Sequence, residues 1–374
     1  MIPLSLYIHI PWCIRKCPYC DFNSHKSPDV LPEIAYVDAL LLDLENDLSR
    51  ICPREIESVF IGGGTPSLFS AAAYERLFTG LKARLSFKKD IEITLEANPG
   101  SVDESRFSDY RALGINRLSL GIQSFDSKHL KALGRIHDGP QAHHAIERAR
   151  RAGFTNMNVD IMHGLPNQTA AEGLEDLRQA LSYQPEHLSW YQLTIEPNTV
   201  FYKLQPTLPD DDTLGMLEEE GFAMLAENQF QRYEISAFCC DGKASQHNLN
   251  YWLFGDYLGI GAGAHGKLTT DAVYRTRKHR QPKDYLDTSK PFLAELLNIE
   301  PADRLLEFIL NTSRLQQPIP QALLTERTGL RWDEALSLFQ QAEAKGLLSI
   351  TPDAWQVTPL GRRYTNDLQA LFLA

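Results

Sequence analysis

The chain has 374 residues, 43% of them hydrophobic and 23% charged, enough for one large core with a smaller domain beside it, since single cores stop growing at roughly 250 to 300 residues. A formal net charge of −11 removes the average electrostatic pull toward nucleic acid or an anionic membrane surface. Six cysteines, three in one loop, do not form the dense framework of a secreted disulfide scaffold, and neither a leader nor an apolar run of membrane-spanning length stands out; the expectation is a cytoplasmic protein with at most peripheral membrane contact.

Residues 4–10 read as a buried strand leading into the run Cys13-Ile-Arg-Lys-Cys17-Pro-Tyr-Cys20. Three thiols separated by three and then two residues suit convergence on one iron-sulfur cube, and three ligands leave one iron open to a small chelating ligand. Zinc is the competing reading. Soft thiolates suit it too, but a structural zinc site needs a fourth Cys or His, and no second Cys-x-x-Cys follows.

Further strand-like runs follow at 58–61, 91–95, 117–120, 157–161 and 188–193. They alternate with stretches at 34–48, 72–85, 105–113, 141–152 and 172–181, where apolar residues recur at three- and four-residue intervals. Such alternation predicts an α/β fold with a parallel sheet. The pattern alone does not separate a barrel from a doubly wound sheet. Polar motifs follow successive strands: Gly62-Gly63-Gly64-Thr65-Pro66, Glu96-Ala-Asn-Pro99, Gly121-Ile-Gln123-Ser-Phe125 and Asp160-Ile-Met-His-Gly-Leu-Pro166. The glycines allow backbone groups to approach a ligand closely, and without a following Lys-Ser/Thr they do not form a phosphate-cradling loop. Taken singly, each polar residue reads equally well as a cap or a solvated side chain.

After Pro197 a Pro- and Asp-rich link at 206–212 precedes a helix-like stretch to about residue 229, then aromatic and glycine-rich segments at 247–266. Within them His247-Asn-Leu-Asn-Tyr251-Trp252 pairs an imidazole with two large aromatic rings, a combination that suits haem iron and the flat face of a porphyrin. A lone histidine also serves as a hydrogen-bonded structural residue. From residue 301 the pattern predicts helices at 305–312, 320–328 and 332–345 and a hairpin at 347–358, a winged-helix shape. Seven Lys/Arg against eight Asp/Glu in residues 301–374 argue against a DNA-reading role, so no nucleic-acid partner is expected.

The cysteine spacing with Tyr19 before the third thiol, the preceding Tyr7-Ile-His-Ile-Pro-Trp12, the four strand-end motifs and the His-Asn-x-x-Tyr-Trp run together resemble the HemN/HemW branch of the radical S-adenosylmethionine (radical SAM) superfamily. The resemblance covers roughly the whole chain. It implies a partial (β/α)6 TIM-type barrel with a C-terminal α+β, winged-helix-like region, divided as residues 1–200, 201–300 and 301–374. By the same resemblance Cys13, Cys17 and Cys20 hold a [4Fe–4S] cluster, and Tyr7, Gly63, Gly64, Thr65, Glu96, Gln123, Arg135 and Asp160 hold S-adenosylmethionine. His247 ligates haem with Tyr251 and Trp252 against the ring, His265 is a weaker second candidate that reads also as a support for its loop, and His9, just before the cysteine loop, reads equally well as a residue that orients the cluster. Two functions compete: a haem chaperone delivering haem to apo-haemoproteins, respiratory ones above all, and an oxygen-independent coproporphyrinogen III oxidase. The oxidases carry a further cysteine two residues after the third ligand, where this chain has Phe22, and a longer N-terminal extension; the chaperone reading requires neither. No catalytic residue is assigned, whether the chain is an enzyme is undecided, and a homodimer is left open.

Overall fold

The computed structural model describes residues 1–101 and 103–373. Six parallel strands, β1 (Leu4–Ile10), β2 (Ile56–Gly63), β3 (Phe87–Ala97), β4 (Arg117–Gln123), β5 (Met157–His163) and β6 (His187–Gln192), lie side by side in chain order. Each new strand adds to the same edge, and the order never turns back. That is barrel winding, not the doubly wound arrangement with its switch point, and the six-unit barrel implied by the sequence is present. The connections carry α1 (Glu33–Leu48), α2 (Ala71–Lys82), α3 (Glu104–Ala112), α4 (Ser127–Ala132), α5 (Gly139–Arg151) and α6 (Ala170–Ser182).

Strand periodicity sets the layers. Leu4, Leu6, Ile8 and Ile10 are fully buried in one core with Tyr36, Val37, Leu40 and Leu44 of α1. The alternate residues Ser5, Tyr7 and His9 turn to the other face, where Ser5 Oγ meets Ser58 Oγ at 2.8 Å. Helix starts are fixed locally: Ser70 caps α2, and capping boxes at Asp138/Gln141 and Thr169/Glu172 open α5 and α6.

Residues 201–300, where the sequence pattern predicts few strands, extend the sheet at both ends. Short antiparallel strands β7 (Gln231–Arg232) and β8 (Ala237–Cys239) lie beyond β6, and β9 (Asp256–Ile260) pairs parallel with β1. Antiparallel β10 (His265–Thr269), β11 (Val273–Lys278) and β12 (Leu293–Ile299) complete twelve strands. Among the described residues no ladder joins β12 to β7, so the barrel is open.

Helices α7 (Val200–Leu204), α8 (Asp211–Glu227) and α9 (Gln246–Trp252) precede a C-terminal unit of α10 (Pro301–Thr312), β13 (Ile319–Pro320), α11 (Gln321–Thr328), α12 (Trp332–Ala344), β14 (Leu348–Ile350) and β15 (Ala354–Val357). The three strands form their own sheet, giving the winged-helix-like order expected. This unit has a separate core around Phe308, Phe339 and Trp355, into which Phe254, Leu249 and Trp252 from the α9 segment also pack. None of the helices is long and apolar enough to cross a membrane, among the described residues.

Candidate cofactor site

The cysteine loop is tied down where β1 ends. His9 Nε2 lies 2.8 Å from the Asn23 carbonyl, which only accepts, so Nε2 carries the proton and Nδ1 accepts from Tyr7 Oη at 2.9 Å. Asn23 Nδ2 in turn donates to the carbonyls of Ala262 and Arg280. His9 therefore anchors the loop's trailing end. Trp12–Cys13 pairs with His25–Lys26, and Cys20 N–H donates to the Cys17 carbonyl at 3.1 Å.

Cys13, Cys17 and Cys20 are unbridged thiols that open onto a cavity of about 460 Å³ at the C-terminal ends of the strands. Gly63, Gly64, Thr65, Glu96, Gln123, Arg135 and Asp160 line the same cavity. Seven of the eight residues expected at a bound S-adenosylmethionine are thus gathered around the cysteines. Tyr7 is not among the lining residues: its hydroxyl turns to His9, and its ring stacks with Phe60 and sits 6.4 Å from that of His247.

The glycines serve a purpose besides ligand approach. A Cβ at Gly63, whose φ is +117°, would lie 2.6 Å from the His9 ring, and one at Gly64 would lie 2.5 Å from the Trp12 carbonyl oxygen. Their absent side chains let β2 press against the cysteine loop.

Charge is managed unevenly across the cavity. Glu96 accepts from Gly63 N–H at 3.1 Å, and burial, reinforced by the neighbouring Asp160, pushes its carboxyl up to about 8. Asp160 is also raised by burial, against the hydrogen bonds from Asn158 Nδ2 at 2.8 Å and Ser119 Oγ at 3.0 Å. Arg135 donates to the Gly121 carbonyl at 2.8 Å and reaches Cys17 Sγ at 3.7 Å, while its buried Nε has no protein partner. Gln123 sits in the left-handed region at φ 69° and accepts from Tyr191 Oη at 2.7 Å.

The residues fit the implied cofactors. Three soft donors on one loop, two carboxylates and the Arg135 guanidinium line a void within the roughly 300 to 1,000 Å³ of small-molecule sites. Tyr191, Ser189 and Ser119 also face this cavity, and the sequence reading did not single them out. The alternation of Ser189 and Tyr191 along β6 was the available sign.

His247 lies elsewhere, in the barrel interior away from the cysteines. It is 1% exposed, and burial, with the Arg117 charge, lowers its imidazole to about 3. Nδ1 bonds Ser58 Oγ at 2.9 Å and Nε2 bonds Tyr251 Oη at 2.8 Å, so in this conformation neither nitrogen is available to iron. The amino end of α9 is held by Glu92, which accepts from Ser245 Oγ, Gln246 N–H and His247 N–H at 3.2 to 3.4 Å. Tyr251 and Trp252 line a second cavity of about 150 Å³ with Tyr257, Lys267 and Arg275, too small for a porphyrin. His265 is exposed on β10 and joins neither cavity.

The Radical SAM superfamily profile matches residues 7–180, and the HemN C-terminal domain profile matches residues 299–364. Over 374 residues the chain is 48% identical to the heme chaperone HemW of Escherichia coli (strain K12), covering 100% of this chain and 98% of that protein. The heme chaperone HemW of Bacillus subtilis (strain 168) is 32% identical, with 99% of each chain covered. Among solved structures, the coproporphyrinogen III oxidase HemN of Escherichia coli superposes with a TM-score of 0.84 at 23% identity, over 100% of this chain and 90% of that one. At that identity the likeness speaks to fold alone.

Proposed function

This chain belongs to the HemW family within the radical SAM superfamily, and we propose from that membership that it is a cytoplasmic haem chaperone passing haem to apo-haemoproteins, respiratory ones included. The observation that carries the reading is the 48% identity, over the whole length, to a protein named as a heme chaperone. We assign residues 1–200 to the radical SAM barrel, 201–300 to the linking and His-Asn-x-x-Tyr-Trp region and 301–374 to the winged-helix-like domain; the separate core around Phe339 supports the last division.

Cys13, Cys17 and Cys20 would hold a [4Fe–4S] cluster. Gly63, Gly64, Thr65, Glu96, Gln123, Arg135 and Asp160 would hold S-adenosylmethionine beside it, with Tyr7 supporting them from below through His9. When bound, the cluster supplies an open iron for chelation and a centre for electron transfer. Burial pushes the Glu96 carboxyl up to about 8, and an ammonium group held beside it would favour the carboxylate, the proton passing to solvent. Arg135 spans the Gly121 carbonyl and Cys17, and so fixes the cysteine loop against β4.

Haem is assigned to His247, with Tyr251 and Trp252 against the ring. That ligation requires α9 to loosen from Glu92 so that an imidazole nitrogen exchanges Tyr251 or Ser58 for iron.

The test is anaerobic. Reconstituted protein loaded with haem is mixed with an apo-haemoprotein, and transfer is followed by the Soret band; in parallel the protein is given coproporphyrinogen III, S-adenosylmethionine, a low-potential one-electron reductant for the cluster and an electron acceptor. Transfer without protoporphyrinogen formation supports the chaperone. Conversion of coproporphyrinogen III establishes the oxidase instead, despite Phe22.

A further inference from the structure

Outside the cavity, Asp126, His129 and Glu172 meet where α4 packs beside the start of α6, each offering one ligand atom within 4.8 Å of the other two. His129 is fully buried, yet neither ring nitrogen has a hydrogen-bond partner, and Nε2 faces Glu172 Oε2 from 3.5 Å. A buried imidazole with both nitrogens unpaired is costly and calls for a partner. The backbone holds the two carboxylates in place. Asp126 Oδ1 caps α4 through Lys128 N–H at 2.7 Å, and Glu172 Oε2 accepts from Thr169 N–H at 2.8 Å and Thr169 Oγ1 at 3.1 Å. An ionised carboxylate retains acceptor sites beyond those already used.

We propose that Asp126, His129 and Glu172 bind one divalent transition-metal ion, through His129 Nε2 and one oxygen from each carboxylate, with water completing the shell. One imidazole with two carboxylates is a mixed nitrogen and oxygen set. It suits Mn²⁺, Fe²⁺ or Zn²⁺ and is wrong for Mg²⁺ or Ca²⁺, which favour oxygen alone. The Lys128 ammonium, 3.0 Å from Glu172 Oε1, opposes a dication, so binding depends on all three ligands together.

The position gives the ion a structural use. Asp126 and His129 lie on the segment between Gln123 and Arg135, which both line the main cavity. Asp176 of α6 already fixes this segment, accepting from Ser124 Oγ and Phe125 N–H at 2.7 Å each. A metal would tie α4 to α6 as a second anchor and hold the two cavity residues in register.

The test uses the full chain with its cysteines occupied by the reconstituted cluster, passed over a chelating resin and titrated with Mn²⁺, which prefers oxygen and nitrogen to thiolate. Free Mn²⁺ is read by electron paramagnetic resonance. The expected result is one saturable site that excess Mg²⁺ does not empty. Asp126→Asn and Glu172→Gln, which keep their capping shapes, should each weaken it by at least about tenfold, and His129→Gln should abolish it, with circular dichroism confirming the fold. Absence of saturable binding to the unmodified chain overturns the proposal, as does affinity in the carboxylate variants equal to that of the unmodified chain, or ready displacement by Mg²⁺. Should His129→Gln fail to fold, the carboxylate variants decide.

Discussion

Glu92 and Glu96 stand four residues apart on β3 and face the same barrel interior, yet their surroundings differ. Glu96 looks into the cavity with one backbone N–H on its carboxylate and a raised pKa. Glu92, one layer below, takes three donors from the start of α9, with Arg117 3.9 Å away. His247 follows the same division: both its nitrogens bond side chains of the lower layer, while Arg135 at the cysteine end lines the cavity. One set of strands therefore carries two polar layers. The upper layer lines the cavity where a ligand can enter, and the lower layer holds a helix in place.

Substitutions at the two ends should separate accordingly. The largest effect is expected from Cys17→Ala, which should remove essentially all cluster iron and sulfide after anaerobic reconstitution, because two thiolates on this loop do not hold a cube; a full complement would sink the ligand assignment. Glu92→Gln should cost about 3 kcal/mol, since it leaves the buried Arg117 charge without its nearest carboxylate. Urea unfolding would read that loss, and an unchanged midpoint would show that α9 is not held by Glu92.

Tyr251→Phe removes one hydrogen bond from a buried imidazole and should cost about 1 to 2 kcal/mol, leaving cluster content intact. A loss of cluster in this variant would mean that the two layers are not independent. A further effect concerns pH. Glu96 has an ordinary value of 4.5 and is pushed up to about 8 in the folded chain, so the folded state holds the extra proton between those values. Its contribution is fully present below the lower value and is lost as pH rises through about 8. Without cofactor, Glu96→Gln should therefore lessen the fall in melting temperature from about pH 6 to about pH 9, by about 2 °C or more. An identical fall in both proteins would contradict the raised value.

Local chemistry decided what the sequence could reveal. The six barrel strands were legible because buried parallel strands are short apolar runs, as in Leu4–Ile10, and the cysteine loop because thiolate spacing is chemically narrow. The strands Val273–Lys278 and Leu293–Ile299 escaped notice because their residues are largely polar or exposed, and their pairing is set by the neighbouring ladder more than by their own pattern. The strand-end motifs led to seven residues of one cavity. Tyr7 sits below it because its hydroxyl is committed to His9, a tertiary choice that residue type does not disclose. The same limit applies to His247: an imidazole beside two aromatic rings suits a porphyrin, but only the fold reveals that Ser58 and Tyr251 already occupy its nitrogens. His129 was passed over because nothing in its own segment distinguishes it; its partner Glu172 is forty-three residues away.

The central claim is that haem and cluster occupy separate sites on one barrel, and an anaerobic Soret titration of the unmodified chain, His247→Ala and Cys20→Ala tests it most directly. The account predicts that His247→Ala weakens haem binding by at least about tenfold, as loss of an axial ligand should, while Cys20→Ala binds haem as the unmodified chain does. Unchanged affinity in His247→Ala, or loss of haem binding in Cys20→Ala alone, would contradict it and place the porphyrin in the cysteine-lined cavity.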